Sequence, residues 1–355
     1  MLIGCALLAL AVRPAGAASQ AHGPAAPPLP GRTEVFVGQG FDTCEVPTVA
    51  ALEAWFVASP YRAVNLYIGG AGRYCSNRAL NADLVARLGQ IGWRFIPTWV
   101  GPQAPCYSGR KPLMSGDPTT AHAQGIAEAR AAIKVAADLG LAAADGSGTI
   151  IYYDLEHYDS SDPTCHEPVR AFISGWVGEL RAAGNLAGVY GNPAPLVSFA
   201  TLPNVPDAIW VARWLYAAYN PNVTVWDVPN LPADLWAGHQ RIWQYAGGHN
   251  ETWSAANANF GLPRRIAALD QNDPAGPQHT AGPSAWAAAG FGHEETWNGV
   301  TLNIDCNVID GIVARWLPGD LRRAVYLPMV IGGVTAEAQR TQSSSEFSAS
   351  SAPLR

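Results

Sequence analysis

The chain has 355 residues, a formal net charge of −6, and only 14% charged against 48% hydrophobic residues. That length suits one large domain or two ordinary ones. No Lys/Arg cluster interrupts the acidic balance, which argues against nucleic acid as a partner.

In chain order, Leu2 to Val12 is an apolar stretch of signal-peptide length, and Ala15-Gly16-Ala17 reads as a cleavage site. Residues 1–17 are therefore read as a signal peptide, and the Ala/Pro/Gly-rich residues 18–33 as a linker. Short apolar runs follow at Glu34 to Phe41, Ala63 to Ile68, Trp93 to Val100, Thr149 to Leu155, Leu186 to Tyr190, Ala208 to Trp214, Arg241 to Tyr245 and Thr301 to Cys306. Each ends in polar residues or glycine, as buried strands do. Helical periodicity lies between several of them. Pro47 to Ala58 places Val49, Leu52, Trp55 and Phe56 on one stripe, and Arg78 to Ile91, Thr120 to Leu139 and Pro168 to Ala183 behave alike. Asp117-Pro118-Thr119 supplies a helix start and Gly140 a stop.

Strand and helix alternating eight times is the pattern of an α/β fold of the (β/α)8 TIM-barrel type, here a single domain over residues 34–317. A doubly wound open sheet is the other arrangement, but no Gly-x-Gly-x-x-Gly follows the first strand. Residues 246–300 exceed an ordinary barrel loop and predict an insertion before the last strand. Within it Gly248-His249-Asn250-Glu251-Thr252-Trp253 nearly repeats as Gly292-His293-Glu294-Glu295-Thr296-Trp297. Residues 318–355 read as a partly disordered tail. Its apolar run, Val325 to Val334, is about half the length that crosses a bilayer, so no stable membrane span is expected.

The densest chemical signal is Thr149-Ile150-Ile151-Tyr152-Tyr153-Asp154-Leu155-Glu156. Strand side chains alternate, so Asp154 and Glu156 point the same way at the end of a buried strand. Two acids placed together raise the pKa of one of them. In a barrel enzyme the site lies at the C-terminal ends of the strands. The other strand ends offer Asp42, Tyr67, Trp99, Tyr190, Asn192, Arg213, Trp214, Gln244, Tyr245 and Asp305. Four carboxylates among aromatic and amide side chains describe a sugar cleft, where rings stack on aromatic faces and acids protonate glycosidic oxygens. Each has a plainer use: a lone Asp caps helices, and Trp and Tyr fill barrel cores.

These motifs resemble glycoside hydrolase family 25, the Chalaropsis-type lysozymes. The matching residues are Gly40-Phe41-Asp42, Asp154-Leu155-Glu156, Gly188-Val189-Tyr190, Trp210-Val211-Ala212-Arg213-Trp214, Trp243-Gln244-Tyr245 and Asp305-Cys306-Asn307. The Phe-Asp-x-Cys opening and Tyr-x-Asp-x-Glu core are closer to a related secreted bacterial family, the glycoside-hydrolase-like domain of unknown function 1906 (Rv2525c-like). The resemblance spans about Val35 to Ala314. It implies Glu156 as general acid, with Asp154, Asp42 and Asp305 as supporting carboxylates. No cofactor is expected, and no C-x-x-C spacing or zinc-finger histidine supports a metal site. Trp214, where a Tyr is usual, the cysteines and the long segment before the last strand depart from the lysozyme pattern.

On such a barrel, Cys44 and Cys75 follow strands one and two, and Cys106 and Cys165 follow strands three and four. Each pair sits on neighbouring loops of one face, so disulfides Cys44–Cys75 and Cys106–Cys165 are expected, with Cys306 free and facing away from Asp305. The expectation is a secreted or cell-envelope monomer acting on peptidoglycan or a related polysaccharide by carboxylic-acid catalysis. Its rival is a non-catalytic glycan-binding module on the same barrel. A different hydrolase, such as an amidase or esterase, trails, because neither Gly-x-Ser-x-Gly nor His-Glu-x-x-His occurs.

Overall fold

The computed structural model describes residues 25–253, 294–296 and 299–318. The signal-peptide reading, most of the 246–300 insertion and the tail beyond residue 318 lie outside the described residues. The strands are β1 (Thr33–Asp42), β2 (Tyr61–Gly69), β3 (Arg94–Trp99), β4 (Ile150–Asp154), β5 (Leu186–Gly191), β6 (Ala208–Ala212), β7 (Arg241–Trp253), β8 (Glu294–Thr296) and β9 (Gly299–Ala314). β1 to β7 pair in sequence as parallel neighbours, and β9 fits between β7 and β1 to close an eight-stranded barrel of the (β/α)8 type. β4 is buried along its whole length. Its continuous Ile-Ile-Tyr-Tyr run is what a parallel strand covered on both faces requires.

Five helices lie between strands among the described residues: α1 (Val49–Ala58), α2 (Ala82–Ile91), α3 (Pro118–Asp138), α4 (Pro163–Ala182) and α5 (Pro193–Phe199). Side-chain caps fix most of the starts. Thr48, Asn81, Asp117 and Asp162 accept hydrogen bonds from Ala51, Leu84, Thr120 and Thr164 backbone N–H groups. The predicted start of α4 at Pro168 is five residues late. Asp162 caps the helix and Pro163 takes the first position, where a missing N–H costs nothing. α3 and α4 pack backbone to backbone: a Cβ on Gly125 would stand 2.1 Å from Phe172 O, and one on Gly175 2.3 Å from His122 O.

Two expectations change. Residues 213–240, between β6 and β7, contain turns but no helix, so strand–helix alternation stops after α5. The last strand is not Thr301 to Cys306 running parallel to its neighbours. It is the sixteen-residue β9, antiparallel to both β1 and β7. Antiparallel neighbours, unlike parallel ones, do not require a crossover connection between them. β9 enters from above the barrel, where its first residues pair with the outer half of β7 and with β8, and descends to pair Ala314 with Thr33.

The disulfides are Cys44–Cys75 and Cys106–Cys165, and Cys306 is a buried thiol. The second bridge closes 59 residues of chain and pins the loop after β3 to the first turn of α4. Replacing both Cys106 and Cys165 by Ser is expected to cost about 2–4 kcal/mol, read as a lower denaturation midpoint. An unchanged midpoint would mean that this loop adds no constraint.

Candidate active site

The site is built where inward-facing residues of β1, β4, β5, β7 and β9 reach the barrel top. Asp42 and Asp305 are direct partners across the β1–β9 ladder. Neighbouring residues on paired strands share a face, so the reversed last strand still delivers Asp305 beside Asp42. Gln244 ties the two together. Its Nε2 donates to Asp42 Oδ1 at 3.0 Å, Asp42 Oδ2 at 3.1 Å and Asp305 Oδ2 at 3.1 Å. Its Oε1 accepts from the Tyr190 hydroxyl at 2.9 Å and Trp214 Nε1 at 2.8 Å. Two donors on the oxygen leave only one orientation for the amide. Asn307 Nδ2 donates to Asp42 Oδ2 at 2.7 Å, and Asn307 Oδ1 accepts from Trp210 Nε1. Gly248 N donates to Asp305 Oδ1 at 2.6 Å.

Burial, then the charge of Asp305, holds the Asp42 carboxyl well above its usual range, although Asn307 and Gln244 pull it down. Burial raises Asp305 to about 6 against the opposing pull of the Gly248 N–H and Asp42. The two behave as a carboxyl pair in which Asp42 keeps the proton and Asp305 ionises first.

Across the barrel mouth, Asp154 ends β4 at 6% exposure, and its Oδ1 is buried without a hydrogen bond. Burial pushes this carboxyl to about 7, Lys111 opposing and Glu156 and Asp42 adding to the rise. Within the Asp-x-Glu pair, Asp154 is a carboxyl whose ionised form burial disfavours. Glu156, half-buried just beyond the strand, forms an ion pair with Lys111 Nζ at 2.5 Å. Burial alone would lower the Lys111 ammonium, but Asp154 and Glu156 outweigh it and raise its pKa. Gln103 sets the backbone between the two acids: its Nε2 donates to Asp154 O at 2.9 Å, and its Oε1 accepts from Glu156 N at 2.8 Å.

Neither Lys111 nor Gln103 was predicted. Both lie in an aperiodic loop, folded over by the Gln103–Leu113 bridge and tied by Cys106. One signal was present: Lys111 and Lys134 are the chain's only lysines, and Lys111 lies close to Cys106.

Tyr190 feels all four carboxylates, and Tyr67 feels Asp42, Asp154 and Asp305. The acids therefore converge around these two rings. Trp214 closes over Gly247, where a Cβ would meet its ring at 2.2 Å. Arg213 is half-buried beside it, and its carbonyl accepts from Trp243 Nε1. Asn192 is half-buried at the start of α5 without capping it.

Two predicted substrate contacts point elsewhere. Trp99 lies between the sheet and α3 and donates to Glu128 Oε2 at 2.5 Å. Tyr245 follows the inward-facing Gln244, so strand alternation turns it outward. Its hydroxyl donates to Gln39 Oε1 at 2.9 Å and accepts from Asn220 N at 3.3 Å. Both are core aromatics.

A family model described as Rv2525c-like, glycoside hydrolase-like domain, matches residues 53–273. Asp154, Glu156, Lys111, Tyr190 and Gln244 lie inside that span, and Asp42 and Asp305 outside it. Among solved structures, the chain is similar to an uncharacterized B. stearothermophilus protein: 19% identity, 59% of this chain and 90% of that chain, TM-score 0.38. It is similar to the catalytic domain of endolysin ply40 from bacteriophage P40 of Listeria monocytogenes: 11% identity, 77% of this chain and 93% of that chain, TM-score 0.35. It is also similar to the Clostridium perfringens spore cortex lytic enzyme SleM: 12% identity, 77% of this chain and 67% of that chain, TM-score 0.39. A search of curated proteins returns no match.

Proposed function

Because the chain belongs to the Rv2525c-like, glycoside hydrolase-like domain family, we propose that its barrel-end carboxylates hydrolyse O-glycosidic bonds in a cell-wall or related polysaccharide. The observation that carries this reading is Asp154, a buried carboxyl raised to about 7 and facing a second carboxyl pair. A general acid must hold its proton near neutral pH and release it to a leaving oxygen. Asp154 meets the first condition. Glu156, the acid implied by the sequence motif, enters as the partner that Lys111 holds at the rim.

On the opposite wall, Asp305 keeps part of its surface in solvent while Asp42 is 3% exposed. Asp305 is therefore the carboxylate that activates water, or that steadies the amide of an N-acetylated sugar acting as internal nucleophile. Tyr67, Tyr190 and Trp214 offer ring faces for stacking, and Arg213 and Asn192 offer donors to sugar hydroxyls. The two disulfides suit an oxidising, extracellular or envelope compartment. No helix among the described residues is long and apolar enough to cross a membrane. The proposed working form is a monomer with residues 34–317 as the catalytic domain.

The Lys111–Glu156 ion pair favours one second reading: a carboxylate already neutralised by an ammonium suits a glycan-binding module. Incubation with purified peptidoglycan and a panel of soluble glycans separates the two. New reducing ends are expected from at least one substrate. Glycan retention with no bond cleaved on any of them would replace hydrolysis with binding.

A further inference from the structure

On the outer face of β7 and β9, away from the carboxylate cleft, stands a second cluster that the proposed hydrolysis does not use. The β7–β9 ladder slips between Gln244 and Ala246 and again between Ala246 and His249. Gly248, at φ +67°, accommodates the second slip. Beyond it His249 and Glu251 share one face of β7, and Cys306 of β9 meets them. His249 Nε2 lies 2.8 Å from Glu251 Oε1 and 3.5 Å from Cys306 Sγ, and Sγ lies 3.3 Å from Oε1.

These are a nitrogen, an oxygen and a sulfur of the types that hold zinc. Around a tetrahedral zinc with ordinary bond lengths, the three would stand about 3.4 to 3.6 Å apart. The cluster reaches that geometry by spreading roughly half an ångström. Its present packing is overcrowded in one place. Oε1 receives Tyr219 N at 2.9 Å as well as His249 and Cys306, three contacts for two lone pairs. Oε2 is held separately by the Tyr61 hydroxyl at 2.7 Å and Trp253 Nε1 at 2.9 Å, so the carboxylate cannot swing away. Such outer partners orient metal-binding side chains. Cys306 is also the one thiol among the described cysteines in a chain whose other described cysteines are bridged.

We propose that His249 Nε2, Glu251 Oε1 and Cys306 Sγ bind one zinc ion, with water as the fourth ligand. Binding releases the Cys306 thiol proton to solvent and changes no oxidation state. His249, its side chain 16% exposed, gives the ion its way in, since Glu251 and Cys306 are buried. The ion clamps β7 to β9 just beyond Gly248, whose N–H faces Asp305. The ion steadies one wall of the cleft from behind.

Cobalt titration of the full, disulfide-intact chain tests this. One cobalt per chain is expected, with the near-ultraviolet charge-transfer band of a cobalt–thiolate bond, displaced by zinc. Cys306→Ser and His249→Gln should each abolish the band, and Glu156→Gln should keep it. Zinc should raise the Tm of wild type and not of Cys306→Ser. If Cys306→Ser does not fold, His249→Gln decides, since it leaves the thiol in place. No band in wild type overturns the site, as does a band that survives either substitution or one that is lost in Asp305→Asn.

Discussion

Asp154→Asn is expected to lower glycan turnover by roughly 10²–10⁴-fold while the protein stays folded and still binds the glycan. The substitution keeps the side-chain shape and removes the proton. Asp154 Oδ1 makes no hydrogen bond in the structure, so no existing contact to that oxygen is lost. The neutral amide also suits a position where burial already disfavours the carboxylate. Glu156→Gln makes the informative comparison. It leaves Lys111 without its ion-pair partner and weakens turnover by disturbing the rim, but it leaves the Asp154 proton in place. Its expected loss is therefore smaller. The measurement is product release under saturating substrate for both variants, with circular dichroism as a folding check. Should Glu156→Gln lose turnover while Asp154→Asn retains it, the acid is Glu156, as the sequence motif alone implies.

How far the sequence reached can be judged at particular residues. The strand interiors were legible because each is a short apolar run that only a covered strand explains; β4 is the plainest. The ends of those runs named Asp42, Asp154, Glu156, Tyr190, Gln244 and Asp305, and the structure brings these together around one mouth. Asp305 was named for the wrong reason. The sequence pattern places it at the end of a strand, yet it lies mid-strand in an antiparallel one. The side chain reaches the same place because cross-strand pairing, not chain direction, decides which face it shares.

The missed features are non-local or aperiodic. Lys111 and Gln103 sit in a loop whose path is set by a disulfide and a single bridge, neither of which leaves a periodic trace. Trp99 and Tyr245 show a different limit. Gln244 and Tyr245 are adjacent on one strand, so both cannot face the cleft. Period two was readable there, but its phase needed the hydrogen bonds of Gln244 to fix it.

The carboxyl assignments also fix a pH profile. In the free protein Asp154 must be protonated to act as acid, and it holds its proton below about 7. Asp305 must be ionised to act as base, which happens as pH rises through about 6. kcat/KM should therefore rise toward pH 6, peak between 6 and 7, and fall above 7, by roughly tenfold per pH unit outside the limbs. Because the two groups titrate only about one unit apart, roughly half of the molecules carry the productive pair at the optimum, and the peak should be narrow. Lys111 lowers the Asp154 carboxyl through its charge. Lys111→Met removes that pull, so the alkaline limb should move to higher pH while the acid limb stays near 6. The sign is the sharp part: a positive charge beside a carboxyl favours the ionised form, and its loss favours the proton. The check is kcat/KM against pH for wild type and Lys111→Met on one soluble glycan. An alkaline limb that stays put or moves down in the variant would remove Asp154 from the acid role.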